Sequence, residues 1–123
     1  MIRSIDEMVS FVTRFQATRG DPRLPADRVP SDLPPGLRAV HVGLGRFADR
    51  REHGVEAPLA TQDQLLAVHQ LGREDGMIVF AVENQGNWTC RCAPGTADPP
   101  VHCDQAAAIG EPRPLVAWAP CFV

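Results

Sequence analysis

Met77-Ile78-Val79-Phe80-Ala81-Val82 is the longest uninterrupted apolar run in the chain, and it constrains the fold more than any other segment. Six apolar residues with four β-branched or aromatic members predict a strand covered on both faces, since a half-exposed strand would alternate. Glu83-Asn84-Gln85-Gly86-Asn87 supplies turn residues immediately after it, and Trp88-Thr89-Cys90-Arg91-Cys92 then alternates with period two. Trp88, Cys90 and Cys92 therefore share one face, with Thr89 and Arg91 on the other. The pair reads as a β-hairpin with one face turned inward. Past Pro94-Gly95 and Pro99-Pro100, a further short strand is expected at Val101-His102-Cys103.

Helical signals lie upstream. Ser4-Ile5-Asp6-Glu7 has the form of a capping box, in which the Ser4 hydroxyl and Glu7 carboxylate satisfy free amides at a helix start. Ile5, Met8, Val9, Val12 and Phe15 follow at helical spacing, so one stripe faces a core. Gly20-Asp21-Pro22 ends this helix. Residues 22–35 carry five prolines and read as an extended loop. A second, short helix starts at Pro34 or Pro35, where a missing amide does no harm, with Ser31 or Asp32 near its cap. Leu37, Val40, His41 and Leu44 line one side of it. Gly36, Gly43 and Gly45 weaken it, and Gly43-x-Gly45 lacks the strand and third glycine of a dinucleotide loop. Residues 46–58 read as a polar loop. Thr61 and Asp63 are placed to cap a helical turn through Gln64, Leu65, Leu66 and Val68, and Gly72 to Gly76 reads as a turn. The expected fold class is α+β, with helices packed on a small, mainly antiparallel sheet, in one domain over residues 1–123 with an atypical tail at 111–123.

Composition excludes several functions. A chain of 123 residues can hold a genuine core without disulfides or metal. All twelve basic residues are arginine, and the formal net charge of −3 argues against a nucleic-acid binder. Residues 1–54 hold nine Arg against seven acids, a balance of +2, whereas residues 55–123 hold three against eight, a balance of −5. The acidic half is either a solvated face or a surface that steers a basic protein partner. No apolar run is long enough to cross a bilayer, and Asp6 and Glu7 interrupt any signal-peptide pattern, so a cytoplasmic protein without membrane contact is expected.

Four cysteines, Cys90, Cys92, Cys103 and Cys121, raise the question of metal. Structural zinc sites use thiolates paired across a turn, but on a strand Cys90 and Cys92 stand about 7 Å apart along one face. Buried thiols acting as small hydrophobes are the preferred reading over a zinc site. A Cys103–Cys90 or Cys103–Cys92 disulfide is geometrically possible across a strand pair, though disfavoured in a reducing cytosol. No cysteine sits where its pKa would fall, and no nucleophile–base–orienter set assembles with His41, His53, His69 or His102. Neither an active site nor a cofactor is expected.

Three segments stand in an order that resembles the SUKH superfamily: Leu33-Pro34-Pro35-Gly36-Leu37-Arg38-Ala39-Val40-His41, then Gln62-Asp63-Gln64-Leu65-Leu66, then Phe80-Ala81-Val82-Glu83-Asn84-Gln85-Gly86-Asn87-Trp88, followed by Asp98-Pro99-Pro100-Val101. The matches span residues 31–104. The resemblance implies a non-enzymatic α+β protein. Bacterial members commonly act as immunity proteins that neutralise polymorphic toxins, and fungal relatives serve as regulatory scaffolds in cell-wall synthesis. The family's helix aromatic would fall on His41, and its recurring polar turn on Glu83, Asn84 and Gln85. Its final amphipathic helix has no counterpart, because Pro112, Pro114 and Pro120 break residues 111–123; the resemblance thus implies a C-terminally truncated or divergent member. On this reading the partner is a protein such as a secreted toxin domain. The expected contact residues are Glu74, Asp75, Glu83, Asn84, Gln85, Asp98 and Asp104, with a scaffold role as the alternative.

Overall fold

The structure is a computed structural model that describes residues 4–60, 64–83, 85, 88–95, 99–103 and 113–114. Helix α1 spans Ile5–Phe15, and the Ser4 Oγ accepts from the Glu7 amide at 3.1 Å, the cap that the sequence promises. Met8 and Val12 are buried. Phe15, expected on the same stripe, is instead 69% exposed, because the helix ends there and a 3-10 turn, Ala17–Arg19, leads away. Its ring stacks on Phe11 one turn earlier, with centroids 5.8 Å apart and planes at 13°.

Helix α2, Pro35–Leu44, starts where the prolines permit and buries Leu37, Val40, His41 and Leu44 as expected. Its N-cap is Pro34, which makes no side-chain cap. Asp32 does not cap it either. Its carboxylate receives Arg73 Nη2 at 2.9 and 3.0 Å, which ties the loop before α2 to the sheet. The proline-rich loop is irregular apart from a 3-10 turn at Ala26–Arg28, and Val29 and Leu33 carry it into the core.

Residues 46–58 are not a polar loop. A 3-10 turn, Gly45–Ala48, runs into a four-residue helix α3, Arg50–His53, and a second turn at Gly54–Glu56. Asp49 caps α3 by accepting from the Arg51 amide at 2.8 Å. Phe47, between Arg46 and Ala48 in the sequence, is fully buried. One apolar ring in a charged stretch carries too little periodicity to be seen as core, yet it removes a large hydrophobic area from water.

The strands form one antiparallel set. β3 is Met77–Val82, and β4, Thr89–Cys92, pairs with it antiparallel, as the hairpin reading requires. β5, Pro100–Cys103, pairs with β4, and β6, Arg113–Pro114, pairs with β5. Two short strands share the other edge of β3. β1, Gln64–Leu65, pairs with Val82 and Ala81, while β2, Gly72–Glu74, pairs with Val79, Ile78 and Met77. Between them Val68–Gln70 forms a 3-10 turn. Gln64 and Leu65 are therefore strand where a helical turn was expected. The amide of Leu66, the next residue along the chain, donates to the Phe80 carbonyl at 2.8 Å, a pairing partner no local pattern reveals. The Gly72 to Gly76 turn is likewise tighter than expected. Only Asp75 and Gly76 turn, with φ of 52° and 76°, the two-residue loop with both φ positive that suits hairpin twist.

β3 meets β4 with a bulge. Val79 faces Arg91 and Ala81 faces Cys90, so Phe80 is the extra residue. The shift in phase lets Ile78, Phe80 and Ala81 all join the core that Cys90 and Cys92 line, together with Met8 and Val12 of α1 and Leu37, Val40 and Leu44 of α2. Among the described residues no helix is long and apolar enough to cross a membrane.

Candidate functional site

Of the seven expected contact residues, the four that the structure describes lie at the two ends of one strand. Glu74 and Asp75 sit at the β2–β3 turn, where Glu74 lies opposite Met77. Glu83 and Gln85 sit beyond Val82 at the other end of β3. Six residues of strand, about 20 Å at the usual rise, separate the two groups. Asn84, Asp98 and Asp104 lie outside the described residues.

The Glu83 corner is held from within. The Glu83 amide donates to the Trp88 carbonyl at 3.0 Å, closing the end of the hairpin, and its Oε2 accepts from the Gln85 amide at 3.1 Å. A carboxylate spent on its own turn stabilises the corner first and reaches outward second. At the opposite end Glu74 pairs with Arg91 at 3.6 Å, with Glu74 largely exposed. Such a pair contributes little, on the order of 0–1 kcal/mol.

The two cysteines of β4 behave as core atoms. Cys90 and Cys92 are both fully buried. Burial pushes the Cys92 thiol up to about 11, which keeps it protonated and unreactive at neutral pH. The register places Cys103 opposite Cys90 and not opposite Cys92. Among the described residues no cluster of three or more His, Cys, Asp or Glu could hold a metal ion.

Among the described residues His41 is the one buried side chain that the packing leaves without a hydrogen-bond partner. It is fully buried, and neither Nδ1 nor Nε2 has a hydrogen-bond partner. Desolvation lowers its pKa from 6.5 to about 4, so the ring is neutral at pH 7.

Sequence reasoning missed two surface features. The first is the exposed Phe11–Phe15 pair, of which Phe15 was assigned to the core stripe and Phe11 was not considered. The second is an open hollow of about 640 Å³ at the C-terminal end of α2, where Arg19, Arg23, Arg46 and His53 come together with Asp21 and Glu52. Those residues are scattered from position 19 to 53, Arg19 at the expected end of the first helix and the rest in turn or loop segments, so no motif could announce them.

Comparison of the chain with protein-family models, with curated proteins and with solved structures finds no match.

Proposed function

We propose that this chain is a non-catalytic protein-binding domain of the SUKH kind, a bacterial cytoplasmic immunity protein that occupies and neutralises a polymorphic toxin domain. The observation that carries this reading is the central hairpin, β3 and β4, whose Glu83 corner is braced by its own carboxylate. A rigid polar corner beside a buried strand loses little conformational entropy on binding and so makes an effective recognition edge. Helix α2, which bears the Pro35 to His41 part of the resemblance, packs into the same core.

The separation of Glu74 and Asp75 from Glu83 and Gln85 divides the expected acidic face into two ends of one strand. Of the two, the Glu83 end is the contact that this reading favours, because Glu83 is tied by its amide to Trp88 and by its carboxylate to Gln85. A regulatory or scaffold interaction protein is the second reading, and the exposed Phe11–Phe15 stack favours it, since aromatic pairs are common anchors of protein interfaces.

Co-expression with a toxin domain encoded in the neighbouring reading frame tests the first reading. Cells are expected to survive only when this chain is present, and a 1:1 complex is expected on size-exclusion chromatography. Unabated toxicity with no complex would overturn it. Phe11→Ser with Phe15→Ser tests the second: these changes should abolish partner capture if the scaffold reading holds and leave toxin protection intact if it does not.

A further inference from the structure

From the arginine-lined hollow we infer that the protein carries a binding site for a small phosphate-bearing molecule. The hollow, about 640 Å³, lies within the usual range for small-ligand pockets. Its wall is built before any ligand arrives. The Leu24 amide donates to the Val42 carbonyl at 3.0 Å, and the Arg46 amide donates to the Pro22 carbonyl at 3.0 Å. Arg46 Nε adds a third tie, to the Arg23 carbonyl at 2.7 Å. Leu24 also lies so close to Gly45 that a Cβ there would come within 2.3 Å of its Cδ1. The segment carrying Arg23 is thus locked against the end of α2.

The guanidinium groups are oriented yet not used up. Arg23 donates from Nε and Nη2 to the two Asp21 oxygens at 3.0 and 3.1 Å. Arg46 donates from Nη1 to both Glu52 oxygens at 2.8 and 3.1 Å. Among the described residues Nη1 of Arg23 and Nη2 of Arg46 therefore retain donors without an acceptor. Arg19 is held more loosely, 3.6 Å from a largely exposed Glu56. The T-shaped contact of His53 with Phe47, centroids 5.7 Å apart, sets the remaining wall. Glu56 beside Arg19 balances the third guanidinium as Asp21 and Glu52 balance the other two, so the hollow's pull on an anion comes from its unused N–H donors and not from excess charge.

What remains to be filled is acceptor capacity. Asp21 and Glu52 each show that one planar carboxylate is satisfied by one guanidinium. Donors left over on three separate segments call for a group with oxygens on several sides, and a tetrahedral phosphate has that shape. The site is independent of the toxin-binding reading, whose test is protection in cells.

Isothermal titration calorimetry of the full chain with inorganic pyrophosphate, at low ionic strength and again at physiological salt, decides the matter. Saturable 1:1 binding is expected, weakened at least about tenfold by Arg19→Ala and by Arg23→Ala, each the loss of a charged hydrogen bond. Arg73→Ala, on β2, should bind as the parent does. Arg19 and Arg23 are both partly exposed, and unchanged thermal melts would show that the variants remain folded. Absence of saturable heat at millimolar pyrophosphate would overturn the site. So would equal weakening by all three substitutions, which would reveal only a general charge effect.

Discussion

The helical half of this protein, residues 4–60, and the strand half, residues 64–103, bury comparable kinds of side chain by different means. In the strand half neighbours in space are near neighbours in sequence. β2 meets β3 through a two-residue turn, and β3 meets β4 through the Glu83 corner. In the helical half the decisive contacts join distant segments. A Cβ at Gly43 would come within 2.5 Å of Val9 Cγ1, so α1 and α2 approach closely because that position carries no side chain. Phe47 closes the floor, and its carbonyl accepts from the Leu59 amide at 3.0 Å. Local pairing tolerates a local error, whereas close approach between distant segments does not.

The largest expected effect therefore falls in the helical half. Phe47→Ala empties a fully buried site and should lower stability by about 3–5 kcal/mol, measured by urea denaturation. A change no larger than an exposed Phe15→Ala would mean that the turn around Phe47 is not part of the core.

Acid should distinguish the halves next. His41 has a folded pKa of about 4 against 6.5 in the unfolded chain, so the unfolded state binds the proton first. Stability is then full above about pH 6.5 and falls as pH drops toward 4, by about 3 kcal/mol in all. His41→Phe should flatten that limb of a denaturation-versus-pH curve. Asp21, held at about 2 by Arg23, titrates below the window. A parent curve level between pH 6.5 and 4 would remove the buried neutral imidazole from the account.

Glycine replacements give the smallest and sharpest contrast. Gly43→Ala gains helix propensity but drives a methyl group into stiff Val9, for a net loss of about 1–2 kcal/mol. Gly76→Ala meets no neighbouring atom, so its cost, about 1 kcal/mol, comes only from the positive φ of the turn. Thermal melts of the two should therefore diverge when Val9→Ala is added: Gly43→Ala recovers and Gly76→Ala does not.

Much of the strand half was legible because its determinants are local. The run Met77–Val82 and the alternation of Cys90 and Cys92 each state their own conformation. Gln64 and Leu65 were misread because a two-residue strand has no period of its own and exists through pairing with Ala81 and Val82. The candidate site was legible in part. The Glu83 corner was visible as turn chemistry, but its distance from Glu74 and Asp75 depends on β3 lying between them at full length.

The amino-acid sequence by itself determined the α1 cap, the buried stripe of α2, the central hairpin and the inward cysteines, since capping and periodicity act over a few residues. Tertiary structure alone decided the bulge at Phe80, the burial of Phe47, the missing partner for His41 and the gathering of Arg19, Arg23 and Arg46. Each of these depends on which distant backbone comes close, and that is settled only when the whole core packs at once.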